Sequence, residues 1–216
     1  MILSIDTTSE FGSIALTEED RTIEEVLLHS PDGFGHVLYS HIERLLDRHG
    51  VTVRHMDCFA AASGPGSFTG VRVGLTATKG LAEATGKPIV AVSNLRAMAS
   101  FGTAPLRAVV LDARRGEVYG AVYDENLHIA APETVMKFPA WLKTLPPSGF
   151  EFIATDFSPF RSSVDQSIPV VTAPRALAAA IGHIAWCELR SGRAQDPIAA
   201  DANYVRRSDA ELFWKE

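Results

Sequence analysis

The chain repeats itself, and the repeat restricts its possible folds more than any other feature. At an offset of 106 residues (Asp112 against Asp6), Ile5-Asp6 falls on Leu111-Asp112 and Ser13-Ile14-Ala15-Leu16 on Tyr119-Gly120-Ala121-Val122. The acidic turn Glu18-Glu19-Asp20 falls on Asp124-Glu125-Asn126, and Ile23 on Ile129, all without a gap. Each copy reads as an apolar strand ending in Asp, a tight turn, a strand, an acidic turn and a third strand. Four matches in register point to a duplicated unit. The length of 216 residues suits one compact domain or two of about 100 residues each, and the duplication selects two. The boundary is expected near Gly102 to Pro105, dividing the chain into residues 1–104 and 105–216.

Periodicity fills in the halves. Residues 2–6, 13–16 and 22–28 predict a strand meander. Leu38, Ile42, Leu45 and Leu46 recur at helical spacing, and Gly50 follows as a stop. Residues 58–62 read as a buried strand. Residues 71–85 read as a helix closed by Gly86, with Pro88 beyond. A strand at 89–92 and a short helix from Leu95 follow. The second half adds a short helix around Trp141 and Leu142 and a strand at 152–154. It ends in an amphipathic helix carrying Leu177, Ile181, Ile184 and Glu188, opened by Pro174 and closed by Gly192. Repeated in this order, the elements match the half-domains of the actin-like (ASKHA) ATPase superfamily, an α/β fold of two βββαβα-type subdomains. A fold alone does not give function.

Composition narrows the classes. Hydrophobic residues at 46 % and charged residues at 21 % suit a globular protein with a real core. A net charge of −6 weighs against this chain alone gripping nucleic acid, which needs clustered Lys and Arg. No stretch approaches the ~20 apolar residues of a membrane span. Asp6 interrupts the first apolar run before a signal-peptide core forms, so a cytoplasmic location is expected. Cys58 and Cys187 make neither a metal spacing nor a disulfide framework and are expected as buried, reduced thiols.

The segment at residues 64–80, GPGSFTGVRVGLTATKG, joins a strand to a helix. Gly64 and Gly66 permit tight turns around Pro65, and Ser67 or Thr69 can cap the helix. A glycine-rich turn at a helix N-terminus can bind an anion; a purely structural turn is the alternative. It is no Walker loop, because the only Gly-Lys, Gly86-Lys87, runs into Pro88. It is no dinucleotide fingerprint either, because its third glycine comes one residue late. Within the helix Gly70, Gly74, Ala77 and Ala84 lie near one face, with Leu81 between them. Glycine in a helix interior costs about 1 kcal/mol relative to Ala, so close packing is expected there, against the chain's own core or a second helix.

The run from Ser63 to Leu81 resembles the signature of the TsaB family, also called YeaZ. The opening Ile2-Leu-Ser-Ile-Asp-Thr-Thr-Ser9 is similar to that family's start, Leu111-Asp-Ala-Arg-Arg-Gly-Glu-Val-Tyr119 to its second-domain opening, and Tyr204-Val-Arg-Arg-Ser-Asp-Ala-Glu211 to its C-terminal motif. One region departs: Phe34-Gly-His36-Val-Leu-Tyr-Ser-His41 stands where members show a His-Ser-Glu-like helix start. The resemblance implies an actin-like fold and a non-catalytic role in making threonylcarbamoyladenosine beside the tRNA anticodon. It further implies pairing with a catalytic paralogue, TsaD, through the N-terminal domain, and work with an ATPase, TsaE. Contact with tRNA is then expected only within the complex, and a homodimer is an option for the chain alone. The partner surface is expected on the two N-terminal helices, at Leu38, Ile42, Phe68, Thr69, Arg72, Val73, Thr76 and Lys79. Arg114, Arg115, Tyr204, Arg206 and Arg207 are candidate assembly or anion contacts, a solvated turn being the alternative for the first two. The C-terminal segment is expected to fold back on the body.

An actin-like-fold enzyme, such as a small-molecule kinase or a metal-dependent hydrolase, is the alternative. The catalytic paralogue carries two metal-binding histidines at i, i+4. His36 and His41 are five apart, about 500° of helical rotation, so their rings point about 140° apart. His49, His55, His128 and His183 form no pair at useful spacing and read as surface or capping residues. Actin-like kinases hold phosphate between two β-hairpins and need a glycine-rich adenine loop in the second domain. Asp6-Thr7-Thr8-Ser9 suits the first hairpin. Asp112-Ala-Arg114-Arg115-Gly116 lacks a small-residue turn, and no Gly-Gly pair follows in the second half. No catalytic residue, metal or cofactor is therefore expected, with nucleotide only at an interface with partners.

Overall fold

The structure, a computed structural model, describes residues 1–206. In the first unit β1 (Ile2–Asp6), β2 (Phe11–Glu18) and β3 (Arg21–His29) form the expected antiparallel meander, and β4 (Cys58–Gly64) and β5 (Ile89–Ser93) add on parallel to β1. The sheet order is β3-β2-β1-β4-β5. In the second unit β6 (Leu106–Asp112), β7 (Glu117–Asp124), β8 (Ile129–Lys137), β9 (Phe150–Ala154) and β10 (Val170–Thr172) take the same order, β8-β7-β6-β9-β10. The duplication is thus a duplication of topology, and the actin-like α/β fold is the observed one. Among the described residues no helix is long and apolar enough to cross a membrane.

The gapless internal alignment does not survive in the strand pairing. Asp6 pairs with Ser13 across residues 7–12, whereas Asp112 pairs with Val118 across residues 113–117, one residue fewer. The second turn is tighter because Arg114, Arg115 and Gly116 all take positive φ, at 64°, 56° and 70°. A one-residue slip exchanges the two faces of a strand, so Gly120 is not the structural counterpart of Ile14. Gly120 instead makes room for Trp141, whose ring lies 2.3 Å from where a Cβ would stand.

Among the described residues there are five α-helices, α1 (Leu38–Arg48), α2 (Phe68–Thr85), α3 (Asn94–Ala99), α4 (Phe138–Leu142) and α5 (Ala178–Arg190), and two short 3-10 turns at Val53–His55 and Arg161–Ser163. The expected division at 104/105 needs correction, because α5 does not stay with the second half. Among the described residues the compact units are 1–97 with 175–202, and 98–174 with 203–206. The cause is chemical. Helix α5 lacks a side-chain cap of its own. Its first N–H groups are taken by the first sheet: Leu177 and Ala178 donate to Ser13 Oγ at 3.0 and 2.9 Å, and Ala179 donates to Glu25 Oε1 at 2.7 Å. Gly182 then lets α5 close onto Thr17 and Ser4, where a Cβ would stand 2.6 and 3.1 Å from their hydroxyls. Further along, Glu188 is held between Arg96 and Arg193, at 2.8 and 2.5 Å.

The second unit has an aromatic core in which Phe138, Trp141, Phe152 and Phe157 meet. Cys58 is buried, and desolvation pushes its thiol up to about 12. Cys187, expected to be buried, is exposed, because it sits on the outer side of α5 between the buried Ile184, Ala185 and Glu188.

A candidate partner-binding groove on α1 and α2

The glycine-rich segment works by packing. Ser67 N donates to Thr8 O at 2.7 Å, Gly64 N to Asn94 Oδ1 at 3.1 Å, and Gly70 N to the Ser67 hydroxyl at 3.3 Å. An added Cβ at Gly66 would stand 2.6 Å from Thr8 O, at Gly70 2.0 Å from Thr7 O, and at Gly74 2.6 Å from the Thr7 hydroxyl. The β1–β2 turn therefore fills the space in front of the glycines. Of the two readings of this turn, anion cradle or structural turn, the geometry favours the second. Ser67, rather than Thr69, is the cap, and it starts α2 three residues earlier than expected.

The same contacts close the first candidate phosphate hairpin. Asp6 Oδ1 accepts from Thr8 N and Thr8 Oγ1 at 2.9 and 2.7 Å, and Asn94 Nδ2 donates to Thr8 Oγ1 at 2.8 Å. Burial pushes the Asp6 carboxyl above its usual range, opposed by the hydrogen bonds from Thr8 and by one that Asn94 Nδ2 donates to Asp6 Oδ2 at 3.4 Å. Asp6 thus braces β1, β4 and α3 from inside. Asn94 was not singled out by the sequence, since a lone Asn before a short helix carries no motif.

With one side of α2 bound to the β1–β2 turn, its other side looks outward beside α1. A groove of about 430 Å³ opens there. Phe68, Thr69, Arg72, Val73 and Thr76, all expected partner residues, line its α2 wall together with Ala77. Gly35, Leu38 and Tyr39 form the opposite side. Two aromatic rings stand open to solvent: Tyr39 is 56 % exposed and Phe68 44 %. The Arg72 guanidinium lies 3.7 Å above the Phe68 ring and fixes its orientation. Tyr39 and Gly35 escaped the sequence reading; an aromatic on the polar side of α1 was the available signal.

Other expected residues sit elsewhere. Leu38, though it borders the groove, and Ile42, which does not, are 1 % and 3 % exposed and belong to the core. Lys79 donates to the Ala200 carbonyl at 2.8 Å and ties down the segment after α5. Arg206 is likewise occupied, by the Ala113 carbonyl at 2.9 Å and by Glu117 at 2.5 Å, which makes it a clamp and not an open anion contact. Arg114 and Arg115 are exposed at the β6–β7 turn, Tyr204 is 47 % exposed, and Arg207 lies outside the described residues. His49 pairs with Glu24 at 2.7 Å, and His55 Nδ1 accepts from Thr52 N at 2.9 Å. Among the described residues no group of three or more His, Cys, Asp or Glu is placed to hold a metal ion.

The chain matches the family model described as "TsaD: tRNA N6-adenosine threonylcarbamoyltransferase" over residues 34–186. It is 34 % identical to the tRNA threonylcarbamoyladenosine biosynthesis protein TsaB of Bacillus subtilis (strain 168), over 67 % of this chain and 65 % of that one. It is 36 % identical to the protein of the same name from Escherichia coli (strain K12), over 63 % and 62 %. The alignments thus span just under two thirds of these relatives' lengths. Among solved structures, a Pseudomonas aeruginosa protein described as similar to peptidase YEAZ superposes with a TM-score of 0.80 at 25 % identity, covering 95 % of this chain and 99 % of that one.

Proposed function

The chain belongs to the TsaB (YeaZ) family, within the span of the TsaD family model, and from that membership we propose that it is a non-catalytic subunit of the machinery that makes threonylcarbamoyladenosine in tRNA. Its task is to bind and support a TsaD-type catalytic paralogue, in company with a TsaE-type ATPase. The observation that carries this reading is the α1–α2 groove. It combines two exposed aromatic side chains and a stacked arginine, residue types that are enriched at protein interfaces. The paralogue has the same family segment, so helix pairs related by a pseudo-twofold axis can meet there, and a homodimer can use the same patch.

The internal use of Asp6 supports a subunit that does not itself catalyse; His36 precedes α1, so helical spacing, expected to separate it from His41, carries no argument. With a net charge of −6, the chain leaves the grip on tRNA to its partners. Nucleotide, if it binds, does so at an interface with them. Because the matched family model is that of a transferase, an enzyme of the same fold is the second reading.

Reconstitution decides between them. Purified TsaD-type and TsaE-type partners, with ATP and unmodified tRNA, are expected to form modified adenosine only when this chain is added. The chain alone is expected to form none, to hydrolyse ATP far below the ~10 s⁻¹ typical of enzymes, and to hold no stoichiometric transition metal. Turnover or metal in the isolated chain would replace the subunit reading with the enzyme reading. At the groove, Thr76→Glu buries a charge in the interface and should weaken binding of the TsaD-type partner roughly thirtyfold or more, equivalent to about 2 kcal/mol. Unchanged affinity in a titration would move the interface elsewhere.

A further inference from the structure

We infer that the β6–β7 turn, through Arg114 and Arg115, contacts phosphates of the RNA backbone when the chain is assembled with its partners. RNA comes within reach of the turn through the tRNA-modification reading above, on which this assignment rests. The observation behind it is the backbone of the turn. Arg114, Arg115 and Gly116 take φ of 64°, 56° and 70° in succession. Glu117 N donates to Arg114 O at 3.0 Å, so Arg115 and Gly116 are the central pair of a turn in which both φ are positive. Hairpins fill such pairs with Asn-Gly or Gly-Gly, because a Cβ there crowds the following carbonyl. Two arginines are a costly choice for a turn whose only task is to reverse the chain. A purely solvated turn leaves that cost unexplained; a need for the two side chains explains it.

The strained turn is braced by cations. Arg206 donates to Ala113 O at 2.9 Å, and Lys137 Nζ donates to Arg115 O at 2.6 Å. Asp112 Oδ1 accepts from Arg114 N at 2.8 Å. Each of these bonds uses the main chain of the turn, and Arg114, Arg115 and Gly116 are exposed. Four cations, Arg114, Arg115, Lys137 and Arg206, thus converge on one hairpin end. Of the carboxylates there, Asp112 caps the turn and Glu117 pairs with Arg206 at 2.5 Å. The sum of these six groups is positive, in a chain whose net charge is −6, so a polyanion is drawn to this end of the second unit. Guanidinium groups match phosphate in bidentate geometry. Two of them on adjacent residues of an exposed tip suit neighbouring phosphates of a strand, a contact that positions RNA without reading its bases.

The test measures binding of unmodified tRNA, across a salt series, by the complex of this full-length chain with TsaD-type and TsaE-type partners. Wild type is compared with Arg114→Asn/Arg115→Asn and with Arg114→Lys/Arg115→Lys. Titrations of the paralogue and of ATP, and the melting temperature of each free chain, run alongside. Asparagine tolerates the left-handed region, so the Asn pair should keep or raise the Tm. It should weaken tRNA binding by the complex roughly tenfold and flatten the slope of log affinity against log salt by about one to two. The Lys pair keeps the charges and should keep most of the slope. Unchanged tRNA affinity and slope with the Asn pair overturn the assignment. So does a fall in Tm, since the arginines would then serve the fold. Equally weakened paralogue binding would make the turn a protein contact, and weakened ATP binding with unchanged tRNA binding would make the phosphate that of a nucleotide; either result overturns it too. If wild type adds nothing to the modification formed by the partners alone, the proposed function fails before any variant is compared, and this assignment falls with it.

Discussion

Glu188 shows how little a residue's place in a sequence pattern says about its chemistry. Its position in the last amphipathic helix marked it as part of a helical face, yet in the fold it is an acceptor shared by two arginines. The hydrogen bond from Arg193, followed by Arg96, holds its carboxyl below the usual range. The sign follows. A depressed carboxylate stabilises the fold above its unfolded pKa of about 4.3 and loses that contribution as pH falls through the lower folded value. Urea denaturation of wild type and Glu188→Gln should therefore show a stability gap that is constant near neutrality and closes below about pH 4. A gap independent of pH would mean the clamp acts through shape and not through charge. Asp6 points the other way, since burial raises its pKa. Its place at the end of an apolar strand was legible in the repeat; its partner Asn94, 88 residues away in the chain, was not.

Helix α2 is the element where local and tertiary demands can be separated. Its glycine spacing and its stop at Gly86, which takes a φ of 66°, were readable from a short run of residues, and its N-cap was narrowed to Ser67 or Thr69, because capping and turn chemistry act over a few positions. The use made of each glycine was not. Gly70 and Gly74 face Thr7, while Gly80 faces solvent, although all three look alike in sequence. Gly70→Ala places a methyl 2.0 Å from the Thr7 carbonyl, backbone that has no rotamer to change. That variant should lose at least about 2 kcal/mol of stability or fail to fold, as read from its denaturation midpoint. Full stability would mean that α2 can lift away from the β1–β2 turn, and the outward placement of the groove residues would need revision. The same contrast explains Leu38 and Ile42. Helical spacing marked them as one face, but only packing assigned that face to the core.

At the scale of the whole molecule, the segment after α5 contributes contacts within each unit. It ties to α2 through Lys79 and Ala200, and in the second unit through Asn203 to Glu133 at 2.5 Å and Arg206 to Glu117 and Ala113. Removal of residues from Asn203 onward should lower the melting temperature of the chain and reduce tRNA modification in the reconstituted system. An unchanged melting temperature with full modification would show the segment to be dispensable. The sequence by itself determined the duplication, the order of strands and helices, and the family, because strand alternation, helical spacing and glycine signatures are written along the chain at short range. Only the tertiary structure decided three things: the one-residue slip between the two hairpins, the transfer of α5 to the first unit, and which side of α2 faces outward. Each depends on groups brought together from far apart, as when the N–H of Leu177 meets the hydroxyl of Ser13 across 164 residues, and no pattern along the chain records a hydrogen bond that the fold alone can form.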